Sequence, residues 1–257
     1  MRYFIEMAYD GTDFHGWQVQ PNAASVQQTL NEALCKVLRR DVYCVGAGRT
    51  DTGVHADYFV AHFEVSEEIA DCDKVVFKLN AVLPESIAVF SIQHTDDELH
   101  SRFSALSRMY YYRLSFRKNP FSRWNRYRPY FEPDFELMNE AAKLLLTTTD
   151  FTSFSKLHTD TKTNECIVSR AVWVQESDTE WRFEIKANRF LRNMVRAVVG
   201  TLFDVGRHKI DIERFKAIID SHDRCEASTS APACGLSLVD IEYPTGLGFE
   251  RTVKIER

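Results

Sequence analysis

The chain has 257 residues, 44% hydrophobic and 27% charged, with a net charge of −5. That balance excludes disordered, fibrous and membrane-spanning classes, and the length predicts two packed halves or one large sheet. No apolar run reaches the roughly 20 residues of a membrane span and the N-terminus lacks a signal-like stretch, so a cytoplasmic protein is expected. Six cysteines at 35, 44, 72, 166, 225 and 234 form no C-x-x-C pair, which disfavours disulfides and structural zinc and predicts reduced, mostly buried thiols.

In chain order, "RYFIEMAY" reads as a strand ending at the turn pair Asp10-Gly11, followed by an unusually aromatic loop, "GTDFHGWQVQPN". Ser25 and Gln28 have capping-box spacing, and Val26, Leu30, Ala33, Leu34, Val37 and Leu38 predict a helix running to about Arg40. "VYCVGAG" and "YFVAHFEV" read as strands on either side of "AGRTDTGVHA". A helix over Asp73 to Val82, stopped by Pro84, and a strand "IAVFSIQHT" complete a first half.

The second half opens with the strand "SRMYYYRLSF" and a long basic and aromatic connection, then a helix through "FELMNEAAKLLLTTT". The strands "SRAVWVQES" and "EWRFEIKAN" predict a hairpin across a short polar turn. "FLRNMVRAVVGTLFDVG" places Leu191, Met194, Val195, Val198 and Leu202 on one helical face, with Gly206 as its stop. A last helix, "IERFKAIIDS", precedes the strand "GLSLVDIEY". This order predicts two α+β halves, residues 1–105 and 106–257, although no residue-level repeat proves duplication.

The acidic total conceals an asymmetry. Between Leu99 and Phe131 there is no acid, against eight cations: Arg102, Arg108, Arg113, Arg117, Lys118, Arg123, Arg126 and Arg128. "FRKNPFSRWNRYRPY" interleaves Phe121, Trp124, Tyr127 and Tyr130 with five of them, the combination that single-stranded and loop RNA recognition uses. A charged solvated loop explains the arginines better than it explains the rings.

Asp51 lies in a glycine-containing connection between strands, where an arbitrary aspartate most often ties a turn. Arg49 and Asp51, two apart in extended chain, point to the same side, so a cation and a carboxylate can face one cleft. A carboxylate beside a guanidinium is favoured in its charged form, available as nucleophile or base. His55 lacks partners at metal-ligand spacing and reads as a packed or hydrogen-bonded histidine. In "RMYYYRL", Tyr110 and Tyr112 share one strand face and Tyr111 takes the other. Tyr111 suits cross-strand packing, and either of the other two can present a ring to a base. Arg189, Arg192 and Arg196, at i, i+3 and i+7, form a basic stripe in which Arg196, among apolar neighbours, is expected to be partly buried and to need a carboxylate partner.

"YDGTDFHGWQ", "GRTDTGVHA", "FSALSRMYYYRL", "DFTSF", "ANRFLRNMVRAVVG" and "GLSLVDIEYP" resemble, in order and spacing, the motifs of the tRNA pseudouridine synthase A family over essentially the whole chain. The resemblance implies a cofactor-independent and metal-free isomerase. It would convert uridine to pseudouridine at positions 38, 39 and 40 of the tRNA anticodon stem-loop, as a homodimer. It also implies two ferredoxin-like halves whose antiparallel sheets join, with the catalytic cleft between them.

Carried over by residue, Asp51 matches the family's essential aspartate and Arg49 the arginine that displaces the target nucleotide. Tyr110 matches the tyrosine at the uracil, with Tyr112 its unexcluded neighbour. Arg196 matches the arginine that pairs with the catalytic aspartate, Leu236 an apolar residue near the base, and Thr52 a variable position. The segment "HTDTKTNE" is not diagnostic of tRNA contacts. Two other readings compete: a non-catalytic RNA-binding module, and a hydrolytic glycosidase or nuclease. The latter would want a second carboxylate or a metal cluster near Asp51, and the segments around the motif offer neither.

Overall fold

The computed structural model describes residues 1–156 and 162–253. They form eight strands and five α-helices, an α+β fold, divided into two compact units. The first unit comprises residues 1–106 together with 238–257, and the second 107–237.

In the first unit, β1 (Arg2–Tyr9) is central, antiparallel to both β3 (His55–Glu64) and β4 (Ile87–Thr95). The short β2 (Val45–Gly46) pairs with β3, and the strand order is β4-β1-β3 followed by β8 (Leu236–Glu242). Register sets Tyr3 beside Phe63, Ile5 beside Ala61 and Met7 beside Phe59, all of them buried. The larger of these side chains, such as Ile5, Met7, Phe59 and Phe63, each contribute about 1.5–3 kcal/mol when fully buried. Helix α1 (Val26–Leu38) begins at Ser25, whose hydroxyl accepts the Gln28 N–H, and buries Val26, Leu30, Ala33 and Leu34. Gln28 does not complete the capping box, because its amide donates to Glu32 instead. Helix α2 (Cys72–Val82), capped by Asp71, packs on α1 and β4.

The chain after β8 belongs to the first unit, whereas the order of elements along the sequence assigned all of 106–257 to the second half. The physical reason lies on β1. Glu6 is fully buried, and its carboxylate accepts the Tyr58 hydroxyl (2.7 Å) and the Thr252 N–H (3.1 Å). Gln93 exchanges hydrogen bonds with the backbone of Glu250 (2.8 and 3.2 Å), and Phe249 packs on Phe4. A buried carboxylate needs such donors, and the C-terminal segment supplies part of them.

In the second unit, β5 (Ser107–Ser115) and β6 (Val168–Ser177) flank β7 (Glu180–Ala187), all antiparallel. The predicted hairpin is β6–β7. Helix α3 (Phe135–Lys143) continues as a single 3-10 turn over Leu144–Leu146, and Phe135 stacks on Trp181 at 3.7 Å between centroids. Helix α4 (Met194–Gly206) is buried along almost its whole length and contacts α3 and α5 (Ile212–Asp220). It starts later than its apolar pattern predicts, because Asn193 takes a left-handed conformation (φ 65°) that ends helical geometry there. Arg189 and Arg192 therefore precede the helix, and the expected basic stripe reduces to Arg196.

All six cysteines are free thiols. Cys44 and Cys166 are buried, Cys35, Cys72 and Cys234 half-buried and Cys225 exposed, fewer buried than composition predicts. Burial pushes the Cys44 thiol up to about 12 and Cys166 to about 11, so both stay protonated.

Candidate active site

Asp51 sits in the loop between β2 and β3 and is half-buried. The buried Thr50 separates it from the exposed Arg49, the alternation that extended chain predicts. Thr50 is anchored twice, by its hydroxyl to the Tyr9 phenol (2.9 Å) and by its carbonyl, which accepts the Trp17 N–H (3.3 Å). On the other side of Asp51, Gly53 N–H donates to Phe14 O (3.2 Å), and Val54 N–H closes a turn onto Asp51 O (3.1 Å).

The aromatic loop after β1 is thus the cradle of the Asp51 loop. Two of its glycines allow the contact. A Cβ on Gly16, whose φ is +84°, would collide with the Thr50 carbonyl, and one on Gly11 would collide with the Val54 carbonyl. Trp17 stacks on Phe59 (4.2 Å) and packs against Tyr9, which seats the cradle on the sheet. Sequence reading singled out Asp51 and Arg49 but not Tyr9, Gly11, Gly16, Trp17 and Thr50, which hold them. The two glycines among aromatic residues in "YDGTDFHGWQ" were the available signal.

His55, at the start of β3, is buried, with Nδ1 3.0 Å from the Asp10 carboxylate and 3.1 Å from the Gly11 N–H. It is a hydrogen-bonded core histidine, as its isolation from other ligands predicts. Burial pushes the Asp10 carboxyl up, but the Thr12 hydroxyl and N–H and the His55 ring outweigh it and hold that acid below its usual value. Among the described residues no group of three His, Cys, Asp or Glu side chains could hold a metal ion.

The second unit carries the other candidates. Tyr112 is 0% exposed and its hydroxyl donates to Pro232 O (3.0 Å). Burial pushes its phenol well up, so it belongs to the core rather than to a surface that meets a base. Tyr111 packs under the Arg113 and Arg182 guanidiniums, as cross-strand packing predicts. Tyr110 is half-buried, with Phe190 edge-on at 5.0 Å.

Arg196 is half-buried in the first turn of α4, and its Nε donates to Ala231 O (2.8 Å) while Ala231 N–H donates to Arg196 O (2.9 Å). Asn193 Nδ2 donates to the Ser230 hydroxyl (2.6 Å). Gly200 and Gly235 lie flush against Thr229 and Tyr112, with no room for a Cβ. The segment 229–235 therefore ties α4 to β5 and delivers Leu236, buried, as the first residue of β8. Within each unit the candidates are gathered: Arg49 and Asp51 on one loop, and Tyr110, Arg196 and Leu236 on elements linked through that segment. Residues 158–161 of "HTDTKTNE" lie outside the described residues.

The profile of the family described as tRNA pseudouridine synthase matches residues 6–104 and 141–244. The chain belongs to this family. The matched stretches contain Arg49, Asp51, Arg196 and Leu236, and Tyr110 lies between them. Among curated relatives, tRNA pseudouridine synthase A of Bacteroides thetaiotaomicron is 53% identical over 98% of this chain and 94% of its own length. The Porphyromonas gingivalis protein of the same name is 49% identical over 96% of this chain and 98% of its own. That of Thermoanaerobacter pseudethanolicus is 39% identical over 93% and 98%. This tRNA pseudouridine synthase family is one of isomerases acting on tRNA, which gives the clamped aspartate loop a chemical context.

Proposed function

We propose that the protein isomerises uridine to pseudouridine at positions 38, 39 and 40 of the tRNA anticodon stem-loop, with Asp51 as the nucleophile. The observation that carries this reading is the Asp51 loop itself, in a chain of this family. Its backbone is fixed on both sides of the carboxylate by Thr50, Gly53 and Val54, while Arg49 beside it is exposed. Pre-positioning of this kind lowers the barrier of a step in which one carboxylate must meet one carbon.

The reaction breaks the C1′–N1 bond, turns the uracil, bonds C5 to C1′ and moves the C5 proton off the ring while N1, freed from the sugar, takes one up. With that exchange atoms and electrons balance without hydride, phosphate activation or a second substrate, and any bond that Asp51 forms to C1′ or C6 breaks again before product leaves. Asp51 supplies the nucleophile, at C1′ or at C6, or takes the 2′ proton. The uridine must first leave its stack, at a cost of a few kcal/mol, and Arg49 fills the gap. Tyr110 holds the ring during rotation and accepts or relays the C5 proton. Arg196 is the cationic partner of Asp51, and Leu236 packs near the base. The resemblance supports these roles, together with a homodimer and a cytoplasmic location. Among the described residues no helix is long and apolar enough to cross a membrane.

Asp51→Asn is the decisive test, with release of tritium from C5-labelled tRNA and equilibrium tRNA binding measured together. Turnover is expected to fall by at least about 10³-fold with affinity changed less than about threefold, the pattern of a group acting on the transition state. Turnover surviving in Asp51→Asn would remove Asp51 as the nucleophile, whereas a wild type without turnover would leave the non-catalytic RNA-binding reading standing. Tyr110→Phe separates ring from hydroxyl: binding is expected to persist and turnover to be lost, and unchanged turnover would remove the proton role.

A further inference from the structure

The fold sorts the basic and aromatic window of the second unit into two groups that sequence leaves mixed. One group is anchored. Arg126 is held by Glu176 (2.6 Å) and Glu180 (3.5 Å). Tyr127 is stitched to β5 by its N–H to Arg113 O and its carbonyl to the Ser115 N–H, both 3.0 Å, and Phe116 N–H donates to Thr179 O.

The other group is left in water. Arg117, Lys118, Arg123 and Arg128 are exposed and make no ion pair with any described residue. Between and beside them, Phe121 is 94% exposed, Trp124 48% and Tyr130 84%. Two of these rings already lie by a guanidinium: Arg123 is 4.0 Å from the Trp124 centroid, and Arg207, just past α4, is 5.7 Å from that of Tyr130 and 4.5 Å from Phe131.

Exposed rings of this size leave burial energy unrealised and mark a contact surface. Rings alone would suit a protein partner. Four cations without a counter-ion among the described residues call instead for a polyanion, and rings among them call for one whose flat faces are open. A duplex presents such faces only at its ends, whereas an unpaired strand presents them along its length. The segment also falls between the two stretches that the family profile matches, so its own residues must carry the assignment.

We propose that residues 117–130 form a docking strip for an unpaired stretch of the substrate tRNA outside the reacting nucleotide. Phe121, Trp124 and Tyr130 stack on bases, and Arg117, Lys118, Arg123 and Arg128 pair with the phosphates between them. This rests on the reading of tRNA as substrate and adds to it where a part of the tRNA away from the reacting uridine is held.

The test uses the full chain in two forms, Phe121→Ala/Trp124→Ala/Tyr130→Ala and Arg117→Gln/Lys118→Gln/Arg123→Gln/Arg128→Gln. Pseudouridine formation on unmodified tRNA transcripts, tRNA affinity by anisotropy and sedimentation are followed in each. The ring variant is expected to raise Kd and KM at least about 10-fold with kcat at saturating tRNA kept within about twofold. The charge variant is expected to flatten the slope of log affinity against log salt by about 3, the value for four lost contacts to a single strand. Kd and salt slope unchanged in both would overturn the proposal. So would normal tRNA affinity with a changed sedimentation coefficient, which would make the strip a contact between copies. If the wild type made no pseudouridine in tRNA, the function proposed above would fail, whereas loss of tRNA affinity in the ring variant would still uphold the strip.

Discussion

The Asp51 loop of the first unit and the segment 117–130 of the second are both polar connections between regular elements, yet the fold treats them in opposite ways. Around Asp51 the side chains and backbone are consumed internally: Tyr9, Phe14, Gly16 and Trp17 fix the chain on either side of one carboxylate. Along 117–130 Arg126 and Tyr127 are tied to the rest of the unit, while four cations and three rings face water. The difference separates two demands. Chemistry at one carbon requires a group held to within about half an ångström, whereas a strand with many equivalent phosphates is caught by groups that can adjust.

Among changes away from the reacting groups, unlocking the cradle should produce the largest effect. Gly16→Ala puts a Cβ against the Thr50 carbonyl at a φ of +84°, so the Asp51 loop must shift. Turnover is expected to fall on the order of 100-fold, with tRNA affinity kept within about threefold and the melt lowered by roughly 1–3 kcal/mol. A fully active Gly16→Ala enzyme would show that the loop does not need its clamp.

Acid should loosen the first unit by a separate route. Burial, reinforced by the charges of His100 and Arg2, pushes the His62 imidazole down to about 4. The unfolded chain takes up that proton near pH 6.5 and the folded chain near 4, so the contribution is complete above about 6.5 and lost as pH falls toward 4. The loss amounts to about 3 kcal/mol at most. Protection of the β3 amides, taken as observed against intrinsic exchange at each pH, should fall across this window, and His62→Gln should flatten the dependence. A protection that stays constant with pH in the wild type would remove His62 as its source.

Tyr9→Phe is the mildest probe, deleting one hydroxyl partner of Thr50 while keeping the ring between Trp17 and Phe59. A loss of about 1 kcal/mol in stability is expected, with turnover reduced less than in Gly16→Ala. A larger loss in Tyr9→Phe than in Gly16→Ala would reverse the order in which hydrogen bond and backbone approach matter.

Most elements were legible because their signals are local. Ser25 caps α1, Pro84 follows α2, and β4 begins and ends where "IAVFSIQHT" does. The start of α4 was misread because apolar spacing runs through Leu191, while the left-handed Asn193, tied to Ser230, is a tertiary effect. Tyr112 could not be separated from Tyr110 by alternation, since burial against Pro232 and Gly235 depends on a segment more than a hundred residues away. The cradle of Asp51 escaped for the same reason: its hydrogen bonds join residues some forty positions apart, and periodicity reports only neighbours.

The two units also differ in the order in which a ribosome supplies them. Residues 107–237 are one continuous stretch, whereas the first unit is interrupted and is completed by residues 238–257. Translation therefore delivers all of the second unit before the segment that brings Thr252 to Glu6 and Glu250 to Gln93. Until Thr252 has been made, the nascent first unit carries a carboxylate on β1 without part of its donors. The N-terminal unit is the one whose folding ends last, the reverse of the usual vectorial order.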